Sequence, residues 1–78
     1  MNYVATFYTH AAALLTDRAM KKHGIASRLA PVPRELSSSC GTCVYYRSDG
    51  PCFDLLDRDA EQVAEQTDAG YRVIRKYE

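Results

Sequence analysis

The sequence predicts an α+β fold, a ferredoxin-like βαββαβ sandwich with a four-stranded antiparallel sheet and two helices on one face. Three observations support this class. Four short segments are rich in the β-branched and aromatic residues that are typical of strands. Two longer segments are compatible with helices, and the order is β-α-β-β-α-β. Right-handed crossovers would then join both halves in one sheet, with the first and third strands in the centre.

The first half of the chain begins with a predicted strand at Tyr3–Tyr8, which is β-branched and aromatic. Thr9 is a suitable N-cap for the helix that follows. Residues 10–23 contain neither glycine nor proline, and Gly24 is a natural end for this helix. Its apolar face is broad and made of small residues, which suits a helix that lies on a sheet.

A second strand is predicted at Ile25–Val32, where apolar and polar residues alternate in part. Pro31 and Pro33 have no N–H to donate to a neighbouring strand, so this strand is expected at an edge of the sheet. The small residues of Ser37–Gly41 then predict a turn.

The second half begins with a third predicted strand at Val44–Tyr46, whose earliest possible start is Thr42. The residues Ser48–Pro51 that follow predict a turn. A second helix is predicted next, because four residues have the i, i+4, i+7, i+11 spacing of an amphipathic stripe: Leu56, Ala60, Val63 and Thr67. Gly70 would end this helix. The alternation in Tyr71–Tyr77 predicts the last strand.

The chain is expected to form a single domain over residues 1–78, because 78 residues bury only a thin core. Ten Lys and Arg balance ten Asp and Glu, which excludes a uniformly basic nucleic-acid clamp. The charges are nevertheless distributed unevenly along the chain: the net charge is +4 in residues 1–34, −6 in residues 35–70 and +2 in residues 71–78. Such blocks are typical of solvated faces of opposite sign, and they also suit docking to a charged partner.

The start of the chain lacks the basic and apolar regions of a secretory signal, and no run approaches the ~20 apolar residues of a membrane span. We therefore expect a cytoplasmic protein with reduced thiols and no membrane partner. Three cysteines are an odd number, which excludes a fully paired disulfide scaffold.

The most specific motif is Arg34-Glu35-Leu36-Ser37-Ser38-Ser39-Cys40-Gly41, preceded by Pro31-Val32-Pro33. It resembles the selenium/sulfur (Se/S) carrier protein-like family, whose pattern runs Pro-x-Pro-Arg-Glu-(Ile/Leu)-Ser-Ser-(Ser/Asp)-Cys-Gly between two strands. Further matches lie at Tyr3–Phe7, at Gly24-Ile25 and in the Gly70–Tyr77 segment, so the resemblance extends over nearly the whole chain.

The resemblance implies that Cys40 carries sulfur or selenium, as a persulfide or its selenium counterpart, between donor and acceptor proteins. Such a protein is a stoichiometric thiol carrier and not an enzyme, and it needs no cofactor. The sequence agrees in lacking a phosphate loop, a nucleotide-binding glycine fingerprint and a histidine partner for a nucleophilic cysteine.

The neighbours of Cys40 suit this chemistry. Gly41 removes a side chain next to the sulfur and allows close backbone approach. Ser37, Ser38 and Ser39 offer hydroxyl donors to a thiolate or persulfide anion. Arg34 would add a positive charge if the turn folds back. The alternative is that this serine-rich segment is an ordinary turn and Cys40 has no role.

Cys43 completes a C-x-x-C with Cys40 at a position where the family usually has another residue. Such a pair is compatible with a dithiol redox module, in which Cys43 resolves a persulfide or sulfenate on Cys40. The alternative, which the residues favour slightly, is that Cys43 packs at the start of the third strand. A thioredoxin-type mechanism is not expected, because the pair precedes a strand and not a helix.

A metal site would need Cys40, Cys43 and Cys52 with His10 or His23 as the fourth ligand. Structural zinc sites usually have two close ligand pairs, and only one is present, so we expect no metal. Cys52 beside Phe53 suits the core. The two histidines fall at opposite ends of the first predicted helix, where they are expected to be surface or capping residues.

Two further function classes remain open. Tyrosines on the predicted strands are compatible with base stacking on an RNA-binding sheet, but the RNA-recognition signature is missing and no nucleic-acid partner is expected. A small domain with exposed edge strands is also compatible with a protein-interaction module or a homodimer.

Overall fold

Five antiparallel strands form one sheet in the computed structural model, which describes residues 1–77. The strands are β1 (Asn2–Phe7), β2 (Ala26–Pro31), β3 (Thr42–Arg47), β4 (Ala60–Thr67) and β5 (Gly70–Lys76). Their order across the sheet is β2-β3-β1-β4-β5, and each neighbouring pair is antiparallel. β1 therefore lies in the centre, paired with β3 on one side and β4 on the other.

The α-helix of the described chain, α1 (His10–Lys22), packs on one face of this sheet. Thr9 is its N-cap, as predicted, because the Thr9 hydroxyl accepts a hydrogen bond from the Ala12 N–H at 3.1 Å. Gly24 follows the helix with φ of 75°, a left-handed conformation that glycine adopts without strain. The first-half predictions of a strand and a helix are thus confirmed.

The ferredoxin-like prediction of a four-stranded sheet with two helices is wrong. A 3₁₀ turn at Phe53–Leu55 precedes the predicted second helix, and residues 56–67 themselves form a short connection followed by strand β4. Gly70 ends no helix; β4 and β5 meet in a hairpin in which Thr67 pairs with Gly70. The described residues therefore form a five-stranded sheet with one α-helix.

A β-bulge explains the helical spacing that led to this error. In the β1–β4 register Thr6 pairs with Gln62 and Phe7 with Ala60, so that Glu61 is an extra residue. Ala60 and Val63 consequently pack on the same side of the sheet although they are three residues apart. A spacing of i, i+3 in a bulged strand looks like one face of a helix in the sequence.

The two faces of the sheet differ. The face under α1 holds the larger buried cluster, which contains Phe7, Met20 and Val44. The helix-free face holds a smaller buried cluster of Val4, Leu36, Cys43 and Ala64. Leu36 is the member of this cluster that comes from a loop, so the segment between β2 and β3 covers part of the helix-free face.

Both edges of the sheet are exposed in the described chain. β2 lies at one edge and ends at Pro31, which confirms the edge position predicted from its prolines. β5 forms the other edge and leaves Val73 and Ile74 exposed. No helix within residues 1–77 has the length and hydrophobicity required to cross a membrane.

Candidate functional site

The segment 32–41, which we call the Cys40 loop, connects the edge strand β2 to β3. Its two ends are joined by a hydrogen bond from the Val32 N–H to the Gly41 carbonyl at 3.2 Å. A turn follows, in which the Leu36 N–H donates to the Pro33 carbonyl at 3.0 Å, and the buried Leu36 side chain holds the loop on the helix-free face. A loop whose ends meet and whose side chain is buried has a fixed path over the sheet.

The sheet holds the serine segment of this loop through both backbone and side-chain groups. Glu61 accepts two hydrogen bonds from Ser39, one from its N–H at 3.4 Å and one from its hydroxyl at 3.0 Å. The Ser38 hydroxyl donates to the Phe7 carbonyl at 3.2 Å. The Gln62 amide donates to the Ser37 carbonyl at 2.8 Å. The Ser38 and Ser39 hydroxyls, expected near the sulfur, thus anchor the loop to β1 and β4.

Cys40 is half-buried at the end of this anchored segment. Its sulfur packs against the cluster under α1, and its thiol donates to the Thr42 carbonyl at 3.4 Å. The Thr42 hydroxyl lies 3.2 Å from Nδ1 of His10, the first residue of α1. Thr42 therefore contacts both the Cys40 thiol and the start of the helix.

Gly41 is required for its backbone conformation. It has φ of 75°, which side chains rarely adopt, and a Cβ at this position would meet no atom within 4 Å. The expected close approach of another backbone is therefore absent at Gly41, and the left-handed turn is the reason for glycine.

Arg34 is exposed at the turn of the Cys40 loop. Among residues 1–77, no hydrogen bond or ion pair joins Arg34 to Cys40 or to another side chain. Arg34 thus stands on the outer surface of the loop, where it is accessible to another molecule.

Cys43 is fully buried on the helix-free face, where its thiol donates to the Pro31 carbonyl at 3.6 Å. Burial raises the pKa of the Cys43 thiol to about 11, because an apolar environment disfavours the thiolate. Cys40 contacts the cluster on the opposite side of the sheet. A resolving role for Cys43 stays a prediction, and it requires at least one of the two sulfurs to leave its present contacts.

Cys52 lies in a different part of the fold. It is half-buried, with its sulfur 3.2 Å from the Ser48 hydroxyl and 3.4 Å from the Gly50 carbonyl. Its φ of 52° is unusual for a residue with a side chain. Cys40, Cys43 and Cys52 are all free thiols, and within residues 1–77 no three His, Cys, Asp or Glu side chains form a group suited to a metal ion.

Glu61 and Gln62, the residues of β4 that hold the Cys40 loop, are not among the residues that the sequence predicts for the site. Both belong to a segment predicted as a helix, in which the acidic side chains were expected to be solvated. No local pattern reveals their role, because it depends on the pairing of β4 with β1 and on the bulge at Glu61.

Comparison with known proteins gives one match. Residues 2–51 fit the model of the family described as "Putative Se/S carrier protein-like". No curated protein and no solved structure matches the chain. The matched range includes α1, the Cys40 loop and strand β3, and it excludes Cys52.

The match extends over well more than half of the 78 residues, and the segment 31–41 around Cys40 lies within it. The family name indicates carriage of selenium or sulfur and hence interaction with other proteins. The chain belongs to the Se/S carrier protein-like family.

Proposed function

We propose that Cys40 carries a sulfane sulfur or a selenium atom between a donor protein and an acceptor protein. The protein is the stoichiometric intermediate of this transfer and not an enzyme. The observation that supports this assignment best is the position of Cys40, a partly buried cysteine at the end of a loop that is fixed by Glu61 and Gln62.

The other two cysteines fit the role less well. Cys43 is fully buried and burial raises its thiol pKa to about 11, so it has little thiolate at neutral pH. Cys52 is half-buried but lies outside the residues that match the family. Cys40 is the cysteine that combines access to solvent with a position inside the family match.

The transfer follows the chemistry of thiol–disulfide exchange. The Cys40 thiolate attacks the terminal sulfur of a donor persulfide, a new S–S bond forms at Cys40, and the donor S–S bond breaks. The donor cysteine leaves as a thiolate, and the terminal sulfur now ends a persulfide on Cys40. The acceptor thiolate repeats the same step on this persulfide. Each step conserves the number of persulfides, so neither an oxidant nor a reductant is needed.

The Cys40 thiol donates to a backbone carbonyl at 3.4 Å, and this hydrogen bond is lost when the thiolate forms, so the sulfur has to leave that contact before it attacks a donor. One feature of the surroundings supports the transfer. The exposed Arg34 lies in the same loop, where its charge attracts an anionic donor surface. Three free thiols also suit a reducing compartment, and we place the carrier in the cytoplasm.

Intact mass spectrometry tests the proposal directly. The protein is incubated with a cysteine desulfurase and cysteine, or with the same enzyme and selenocysteine. We expect a gain of one or more sulfur or selenium atoms in the wild type and in Cys52→Ser, and no gain in Cys40→Ser. A gain of equal size in Cys40→Ser would refute the assignment of the carrier thiol.

A homodimer is a further part of the proposal, with β5 as the contact strand. If the β5 strands of two copies pair antiparallel about Val73, Tyr71 lies opposite Arg75 and Gly70 lies opposite Lys76 of the other copy. No two positively charged side chains then face each other directly. Val73 and Ile74 are exposed at this edge. Analytical ultracentrifugation should show a dimer that Val73→Lys dissociates. A wild type that stays monomeric at high concentration would remove the dimer and leave the carrier role untouched.

A further inference from the structure

The helix-free face of the sheet is covered only in part. The Cys40 loop lies over one part, where Leu36 packs with Val4, Cys43 and Ala64. Beyond this cover, an open cavity of about 340 Å³ lies at the end of the sheet where β1 and β2 begin. This volume is within the range of about 300–1,000 Å³ that is typical of small-molecule sites. We call this cavity the basin.

Two arginines from neighbouring strands lie in the basin. Arg28 of β2 pairs with Tyr45 of β3, and Ala26 of β2 pairs with Arg47 of β3. Side chains alternate along a strand, so Tyr45 and Arg47 lie on the same face of the sheet, the helix-free face. Arg28 lies opposite Tyr45 on this face and is therefore a diagonal neighbour of Arg47. Asn2 and Gln66 add polar groups from β1 and β4.

The Arg28 guanidinium is held against a ring. Its central carbon lies 4.4 Å from the centroid of the Tyr45 ring, the geometry of a cation–π contact. The Tyr45 hydroxyl is in turn 3.2 Å from the Tyr71 hydroxyl of β5, which fixes the ring across the sheet. Stacking occupies the face of a guanidinium and leaves its N–H edge available for a ligand.

No carboxylate compensates these charges within the described chain. Neither ion pair of residues 1–77, Lys21–Asp17 or Arg72–Glu65, includes Arg28 or Arg47. No Asp or Glu is among the described residues that line the basin. Two uncompensated guanidiniums beside each other repel in the absence of an anion, so the basin is complementary to a group with two negative charges.

We propose that the basin binds the phosphate monoester group of a small molecule. At neutral pH such a group carries about −1.5 to −2 charges, which matches the two guanidiniums better than a single carboxylate does. Each arginine can donate two parallel hydrogen bonds to phosphate oxygens. The remaining volume of the basin accepts a small organic group beside Asn2 and Gln66.

A nucleic-acid strand is a poorer match for the basin. Strand binding uses a succession of exposed aromatic faces along a basic groove. Here Arg28 covers the Tyr45 ring, and the net charge of the chain is zero. The basin is therefore a compact site for one ligand.

The basin is separate from the proposed carrier thiol. Cys40 precedes β3, which starts at Thr42. Along this strand Tyr45 lies roughly 10 Å and Arg47 roughly 17 Å from Thr42, at about 3.4 Å per residue. Binding in the basin thus does not depend on the chemistry of Cys40, and the two proposals stand or fall separately.

An NMR titration of the ¹⁵N-labelled protein tests the inference, with sodium chloride added to keep the ionic strength constant. The probes are phenyl phosphate, benzoate and a short single-stranded RNA. We expect phenyl phosphate to cause saturable shifts confined to the residues that line the basin, which are Asn2, Tyr3, Ala26–Arg28, Tyr45–Arg47 and Gln66. Benzoate has the same ring but only one negative charge. We expect it to bind about tenfold more weakly than phenyl phosphate, because it makes one charged hydrogen bond fewer with the arginines.

Charge-removing variants locate the site. We expect Arg28→Gln and Arg47→Gln each to weaken phenyl phosphate binding about tenfold. Arg18→Gln, which removes an exposed arginine from α1, is the matched control and should leave the affinity unchanged. Arg28→Lys keeps the charge but loses the planar fork, so its affinity should lie between those of wild type and Arg28→Gln. Far-UV circular dichroism checks that each variant is folded.

Three results would overturn the proposal. An equal loss of affinity in Arg18→Gln would mean diffuse attraction by the positive surface. Benzoate binding as tight as phenyl phosphate would mean a monoanion site or contact through the ring alone. RNA binding with higher affinity, with shifts along the whole length of β1 and β3, would assign the face to nucleic acid.

Discussion

Cys40 and Cys43 contact opposite sides of the sheet although only two residues separate them. Cys40 packs against the cluster under α1, and Cys43 is buried with Val4 and Ala64 on the helix-free face. The chain turns at Gly41 and enters β3 at Thr42, so the two side chains leave the backbone in different directions. A C-x-x-C in the sequence therefore does not place its two sulfurs in one environment in this fold.

The first prediction concerns the reactivity of the three thiols. At pH 8 we expect iodoacetamide to modify Cys40 before Cys43, because Cys40 is only partly buried and the fully buried Cys43 thiol has a pKa of about 11. Peptide mass spectrometry over a time course measures the order. Cys52→Ser removes the other partly buried cysteine and simplifies the comparison. The three cysteines should react at similar rates once the protein is unfolded in urea, and a faster reaction of Cys43 in the native state would contradict this picture.

The second prediction concerns stability at alkaline pH. The Cys43 pKa is raised from 9.0 in the unfolded chain to about 11 in the folded protein, so the unfolded state binds fewer protons between these values. The stability from this group is complete below pH 9 and is lost as the pH rises through 11. We expect a loss of about 2 kcal/mol in this window.

Urea unfolding at several pH values measures this loss. Tyrosines also titrate in alkali, and burial raises the pKa of Tyr46, so wild type must be compared with Cys43→Val, which keeps an apolar group of similar size. The free energy of unfolding of Cys43→Val should fall less steeply between pH 9 and pH 11. Parallel curves for the two proteins would show that Cys43 does not titrate as described.

Local signals were sufficient to predict the first half of the fold. Thr9 and Gly24 mark the two ends of α1 through cap chemistry that is contained within a few residues. Pro31 placed β2 at an edge because a missing N–H has the same consequence in any sheet. Cys40 was selected as a candidate through a motif of adjacent residues, which lies inside the family match, and its role stays a prediction.

The second half could not be predicted because its structure depends on distant partners. Glu61, Gln62, Ala64 and Glu65 favour helices, and a local preference of this kind is weak compared with tertiary context. The central strand β1 needs a neighbour on both sides, and the segment from Ala60 supplies the second one. The bulge at Glu61 then gave a helix-like spacing of buried residues. The role of Glu61 and Gln62 in holding the Cys40 loop could not be predicted either, because it depends on the same pairing of β4 with β1.

The third prediction separates backbone strain from steric space at Gly41. Its φ of 75° is unfavourable for any side chain, and a Cβ would meet no neighbour. We expect Gly41→Ala to lower the free energy of unfolding by about 1 kcal/mol through strain alone. Gly50→Ala is the matched control, because Gly50 has similar open space and no positive φ, and it should change stability by less than about 0.5 kcal/mol. Equal effects of the two substitutions in chemical denaturation would rule out strain as the reason for glycine at Gly41.

The fourth prediction concerns the attachment of the Cys40 loop to β4. The Glu61 carboxylate accepts two hydrogen bonds from Ser39, at 3.4 and 3.0 Å, and one from the Thr6 hydroxyl at 3.1 Å. Glu61→Ala removes all three acceptor contacts and leaves the buried Thr6 hydroxyl without its partner. We expect a loss of about 1–2 kcal/mol in stability and faster hydrogen exchange at Ser39.

Glu35→Ala is the matched control for this substitution, since Glu35 is an exposed glutamate in the same loop. It removes the same charge and should leave both measurements unchanged.

Glu61→Gln keeps an oxygen acceptor, so its stability and its exchange rate at Ser39 should fall between those of wild type and Glu61→Ala. If the loop must be fixed for a partner to reach Cys40, sulfur loading should slow in the order wild type, Glu61→Gln, Glu61→Ala, while Cys40 alkylation by a small reagent is not slowed. Slower alkylation in Glu61→Ala would instead mean that the freed loop buries Cys40, because a small reagent needs access to the sulfur and no fixed docking surface.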